Sequence, residues 1–151
     1  ERLQAIPGGF ILGPTEEKRI GCVSFGIEGV HYNLIVRLLN DRFGIQVRGG
    51  WSCASTYGHY LFDLDKEASN QIITAIEAKD LTEKPGWVRL SLHPITTNKE
   101  LEFLCDRIEE VALNIESWSK DYSYNCQTNE FDFHQGGDEK IINQVKDWFT
   151  L

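Results

Sequence analysis

The sequence predicts an α+β domain, a small antiparallel or mixed sheet of three to four strands with helices packed on one face. Three observations predict it. Short segments with apolar residues at every second position (RIGCVSFGI at 19–27, WVRLSL at 87–92) read as strands. Longer stretches between and after them carry apolar residues at helical spacing. Finally, 151 residues with 41% hydrophobic and 25% charged content suit one core built from two packed layers.

Taken in order, residues 1–18 form a lead-in punctuated by Pro7-Gly8-Gly9 and Gly13-Pro14, and residues 19–151 form a single domain. Arg19–Ile27 is the first strand, with Ile20, Cys22 and Phe25 alternating against small or polar neighbours. His31–Phe43 follows as a helix, placing Leu34, Ile35, Leu38 and Leu39 on one face, and Gly44 stands where a C-cap glycine belongs. Ile45–Val47 reads as a short strand running into Arg48-Gly49-Gly50, and residues 51–64 read as a loop. Asp65–Lys79 is a second helix with Ile72, Ile73 and Ile76 directed inward. After the turn Lys84-Pro85-Gly86 comes the strand Trp87–Leu92. Thr97 and Glu100 then make a capping box, in which each side chain reaches the other's backbone N–H. The helix behind it carries Leu101, Leu104, Ile108, Val111, Ile115 and Trp118. Tyr122–Phe133 fits an extended crossing, and Ile141, Ile142, Val145, Trp148 and Phe149 mark a short amphipathic tail helix. Such a sheet leaves its second face free to dock against another domain.

Composition removes several classes of function. A net charge of −8 offers no basic face for nucleic acid, so no nucleic-acid partner is expected. No apolar run approaches the ~20 residues of a membrane span, and the first residues lack the basic-then-apolar pattern of a signal peptide. Cys22, Cys53, Cys105 and Cys126 are widely spaced without a C-x-x-C pair, so neither a disulfide scaffold nor a metal site is expected. The expected setting is reducing and cytoplasmic. The absence of methionine, together with the turn-rich opening, leads to the expectation that the chain is a piece of a longer protein.

The chemistry-bearing stretch is Gly44–Leu61, GIQVRGGWSCASTYGHYL. Arg48 can grip a carboxylate or phosphate with two parallel hydrogen bonds. Gly49 and Gly50 allow close backbone approach to a ligand. Cys53 is a usable nucleophile where nearby positive charge lowers its pKa, and a buried inert cysteine otherwise. Ser52 and His59 flank it, and a Cys53–His59 pair is the arrangement a cysteine hydrolase would need. Arg89 is either a ligand contact or a strand arginine paired with a helix carboxylate. His31 and Asn33 read as helix-cap or surface residues, His93 as structural, and Cys22, Cys105 and Cys126 as packing residues. The four tryptophans read as core or interface.

Arg48-Gly49-Gly50-Trp51-Ser52-Cys53-Ala54 resembles the R-x-G-x-H-C-A segment of the cysteine desulfurase and selenocysteine lyase family. Arg89-Leu90-Ser91-Leu92-His93-Pro94-Ile95-Thr96-Thr97 is similar to that family's R-x-S-x-x-x-Y-N-T motif. The wider string GIQVRGG-x-SCA-x-TYGHYL is closer to a less characterised branch of class V aminotransferase-like proteins. The likeness covers roughly Ile20 to Cys105. It implies the C-terminal small domain of a fold-type-I enzyme dependent on pyridoxal 5'-phosphate. Arg89 then anchors the α-carboxylate of an amino-acid substrate, Arg48 supports it, and Cys53 carries sulfur as a persulfide; Ser52, His59 and Ser91 are supporting candidates.

The likeness also implies a homodimer and a preceding large domain that supplies the cofactor lysine. None of the eight lysines here stands in the expected context, so no cofactor-binding residue is assigned and the isolated domain is expected to be inactive. The sequence departs from the motifs at Ser52 (histidine in the family), Thr56 (proline), Ile95 (tyrosine) and Thr96 (asparagine). These departures separate the fold, which they leave intact, from desulfurase chemistry, since a hydroxyl at 52 cannot replace imidazole as an acid or base near neutral pH. The alternative to an enzyme domain is an autonomous α+β binding module.

Overall fold

The computed structural model describes residues 1–13, 19–51, 55–134 and the positions 142, 143, 145 and 146. A four-stranded antiparallel sheet runs in the order β1 (Gly9–Ile11), β2 (Cys22–Ile27), β4 (Trp87–Ser91), β3 (Arg48–Gly50). Its helices are α1 (Tyr32–Phe43), α2 (Ser55–Leu61), α3 (Lys66–Glu77) and α4 (Asn98–Trp118). A separate hairpin pairs β5 (Tyr122–Asn125) with β6 (Glu130–Phe133). The α+β class and the small antiparallel sheet stand as expected from the sequence.

Strand alternation sends successive side chains to opposite faces, so register decides what each face carries. Phe25 lies opposite Val88, and these residues with Ile27 and Leu90 form one face. They pack with Leu34, Ile35, Leu38 and Leu39 of α1 and Ile108 and Val111 of α4 as one buried core. Ile35, Leu38, Leu39, Val88, Ile108 and Val111 are fully enclosed. Each such side chain contributes roughly 1.5–3 kcal/mol of burial free energy.

The helix ends follow their local chemistry. His31 caps α1, its Nδ1 accepting from the Asn33 N–H at 3.1 Å, and Gly44 ends the helix in the left-handed conformation at φ 67°. Asp65 caps α3 through the Ala68 N–H. Thr97 and Glu100 close the expected capping box of α4, which holds the Glu100 carboxyl below its usual range.

Several expectations are corrected. The third strand is Arg48–Gly50 rather than 45–47, because residues 45–47 carry the chain from the end of α1 to the sheet edge, burying Ile45. Gly9–Ile11, within the lead-in, supplies an edge strand. Residues 55–61 are helical rather than loop. Ile73 and Ile76 are 49% and 38% exposed, so α3 does not deliver them to the core. Cys22 and Cys126 are exposed and only Cys105 is half-buried, so the first two are not packing residues. Tyr122–Phe133 is a hairpin whose turn uses Asn129 at φ 61°. Of the expected tail helix only four positions are described. No helix among the described residues is long and apolar enough to cross a membrane.

Candidate functional site

The sheet face turned away from α1 and α4 carries a different set of residues. Arg89, in the central strand β4, lies directly opposite Ser24 of β2 on one side and Arg48 of β3 on the other. The Leu12 N–H donates to the Ser24 carbonyl at 2.9 Å and extends this row past the edge of β1. One row along, Ser91 lies opposite the exposed Cys22. The register therefore brings together Arg48, Arg89 and Ser91 from two motifs some forty residues apart in sequence.

The electrostatics of this row are unusual for an acidic chain. None of the four strands contains an aspartate or glutamate. The Arg89 Nε is shielded from solvent without a hydrogen-bond partner, and the Arg48 side of the row is exposed. Four arginines elsewhere are matched with acids: Arg2 with Asp106 and Glu109, Arg37 with Asp41, Arg42 with Asp121, Arg107 with Glu110. Two guanidiniums placed opposite one another in an antiparallel pair repel, and such a pair persists most readily where an anion is to be bound. Of the two readings open for Arg89 from sequence, pairing with a helix carboxylate has no counterpart among the described residues.

One wall of the site is aromatic. Trp51, directly after β3, stacks with Phe62 at 5.8 Å and meets Trp87 at 6.2 Å and the edge of His59 at 5.3 Å. Gly58 of α2 lies so close to the Trp51 indole that a Cβ there would collide with the ring. This contact seats α2 beside the sheet despite its poor helix formers. A cleft of about 270 Å³ opens between them, lined by Leu12, Gly13, Arg19, Ser24, Tyr57, Leu61 and Trp87. Tyr57 and Tyr60, 52% and 80% exposed, stand on α2 at its rim.

His59 shares a hydrogen bond of 2.9 Å with Ser69 of α3. Ser52 and Cys53 lie outside the described residues. His31 is a helix cap, and the His93 Nδ1 accepts from the Ile95 N–H at 3.3 Å. Among the described residues no cluster of three or more His, Cys, Asp or Glu is placed to hold a metal ion. Sequence reasoning passed over Ser24 and Arg19 and read Cys22 as a packing residue, whereas it is exposed. The alternation in CVSFGI carries the signal for Ser24 and Cys22, since Phe25 inward requires both to face outward.

Fold and site together define an α+β domain that presents an arginine-bearing sheet face beside an aromatic wall. The aminotransferase class-V family profile matches residues 1–104 of the chain, and the chain belongs to that family. It is also similar to a protein described as a probable cysteine desulfurase from Methanothermobacter thermautotrophicus (strain Delta H), with 29% identity over 92 residues. That match covers 61% of this chain and 18% of the relative, so the chain spans only a small part of the length of the curated relative it matches.

Proposed function

We propose that this chain is the substrate-carboxylate-anchoring part of a pyridoxal-phosphate-dependent enzyme that transforms amino acids, either an aminotransferase or a cysteine desulfurase. The observation that carries this reading is the acid-free sheet row holding Arg89 and Arg48. The described residues fit a substrate anion and do not by themselves hold the cofactor. Among the described residues no strand bears a lysine, and an arginine guanidinium stays protonated and cannot make the cofactor's imine link. The cofactor, when bound to the whole enzyme, supplies the electron sink that loosens a bond at the substrate Cα.

The residues of this chain orient that substrate. The Arg89 fork would take both carboxylate oxygens and so fix the rotation about the Cα–carboxylate bond, a geometry a lysine cannot impose. Its seat in the middle of the sheet limits its rotamers, which preorganises the grip. Arg48 and the Ser24 hydroxyl flank it in the same row. The exposed Tyr57 and Tyr60 fit a surface that the remainder of the enzyme covers, closing the site against water. Cys53 is the candidate persulfide carrier on the resemblance of its segment. The domain alone is expected to be catalytically silent.

The test is Arg89→Ala in the full-length holoenzyme. The expected outcome is a loss of roughly 100-fold in kcat/KM for the amino-acid substrate, the worth of a charge-assisted paired hydrogen bond. Arg89→Lys should recover only part of it. Unchanged kinetics in Arg89→Ala would remove its assigned role. Loss of sulfur release in Cys53→Ala, with substrate binding retained, would assign the desulfurase reaction.

A further inference from the structure

We propose that Arg48 is a specificity residue, and that the site takes amino acids carrying a second acidic group in addition to the α-carboxylate: a side-chain carboxylate, sulfinate or phosphate. This deepens the reading of Arg89 as the α-carboxylate anchor and rests on it.

Three observations lead there. First, Arg48 and Arg89 are direct cross-strand partners, which places their Cβ atoms about 4.5–5.5 Å apart on one face. A single α-carboxylate compensates one guanidinium and leaves its neighbour uncompensated beside it. Second, the missing counter-charge is not a shortage of acids. The chain has 23 acidic against 15 basic residues, and the arginines outside the sheet at 2, 42 and 107 are each matched with one. The row that lacks an acid is the one that faces out of the domain beside the cleft. Third, the second fork is accessible. Arg48 is exposed and stands on β3, the edge strand of the sheet, where it can reach a group beyond the α-carboxylate. A ligand bearing two anionic groups a few bonds apart would answer both forks, each bidentately.

The experiment uses the full-length protein in two forms. In the holoenzyme, the change in cofactor absorption is titrated with L-aspartate, L-cysteine sulfinate and L-alanine at constant ionic strength. In the cofactor-free protein, thermal stabilisation by succinate is compared with that by butyrate. The two diacids should bind about 10- to 100-fold more tightly than alanine, as expected for one added charge-assisted contact, and succinate should stabilise where butyrate does not.

Arg48→Ala should bring the ratio of diacid to alanine affinity down to about one, and Arg48→Lys should restore part of that ratio. The proposal is overturned if Arg48→Ala weakens alanine and the diacids equally, or if the wild-type protein shows no diacid preference while Arg89→Ala still weakens every ligand. In either case the anchor role of Arg89 stands. If Arg89→Ala changes no ligand, the anchor reading falls and this proposal with it.

Discussion

The two faces of the four-stranded sheet use the same strands for opposite ends. On one face Phe25, Ile27, Val88 and Leu90 are shut against α1 and α4, and every position there is apolar. On the other, residues one step along the same strands are Ser24, Arg89 and Arg48, and none of these four strands carries an acid among the described residues to balance the cations. The first face is read through burial and explains why the domain folds. The second adds little to stability and places like charges side by side, which a fold does not need. The contrast teaches that the register fixing the core also fixes the site: slipping one residue would send the arginines inward and the apolar set outward.

The sharpest way to break this comparison is to truncate one residue on each face. Phe25 is 2% exposed, and Phe25→Ala should cost about 3–5 kcal/mol through lost burial and the cavity left behind. Arg89→Ala should stay within about 0.5 kcal/mol, the range of changes that touch no buried network. Urea unfolding of both variants measures the difference. Comparable losses would mean that the second face is structural after all.

A smaller effect is expected where the two layers touch. Gly49, opposite Val88 on the core side of β3, lies against α1, where a Cβ would collide with the Asn33 side chain and come within 2.9 Å of Val36. Gly49→Ala should therefore cost about 1–3 kcal/mol by overpacking. The same unfolding experiment reads it, and a neutral result would mean that β3 can move off the helix.

The same contact explains what was legible in the sequence and what was not. The helices α1 and α4 were readable because periodicity and caps agree: His31 and Gly44 bound one, and Thr97 and Glu100 open the other. Strands Cys22–Ile27 and Trp87–Ser91 were readable from alternation. Strand β3 was displaced because glycines are normally poor strand residues, whereas here Gly49 is what lets the strand approach the helix. Helix α2 was missed because STYGHYL has low helix propensity and is held by the Trp51 indole, a tertiary contact that local pattern does not contain. Asn129 closes its hairpin with a left-handed residue that no Asn-Gly pair announces. Of the site, Arg48 and Arg89 could be named from their motifs. Their direct opposition is a product of register, which spacing along the chain does not give.

The smallest effect is confined to mildly acidic pH and concerns the edge of the core. The His31 ring stacks on Tyr32 at 4.4 Å and meets Tyr124 and Phe131 of the hairpin at 4.9 and 5.3 Å. Burial pushes its pKa below the ordinary 6.5, outweighing the opposing pull of Asn129 and Glu83. Its Nδ1 must also stay unprotonated to cap α1, where a positive charge would oppose the helix dipole. Below pH 6.5 the unfolded chain takes up a proton that the folded ring resists. Stability should therefore be full above that pH and fall as the pH drops towards the folded value. The Asp80 and Glu100 carboxyls, whose ordinary values of 3.8 and 4.5 are lowered by Thr82 and Thr97, add losses only in a more acidic window. His31→Asn keeps a good cap acceptor but no titrating ring. Its melting temperature should vary less than that of the wild type between pH 7 and roughly 5, the window the ordinary histidine value opens. Parallel curves for the two proteins would place the titrating group elsewhere.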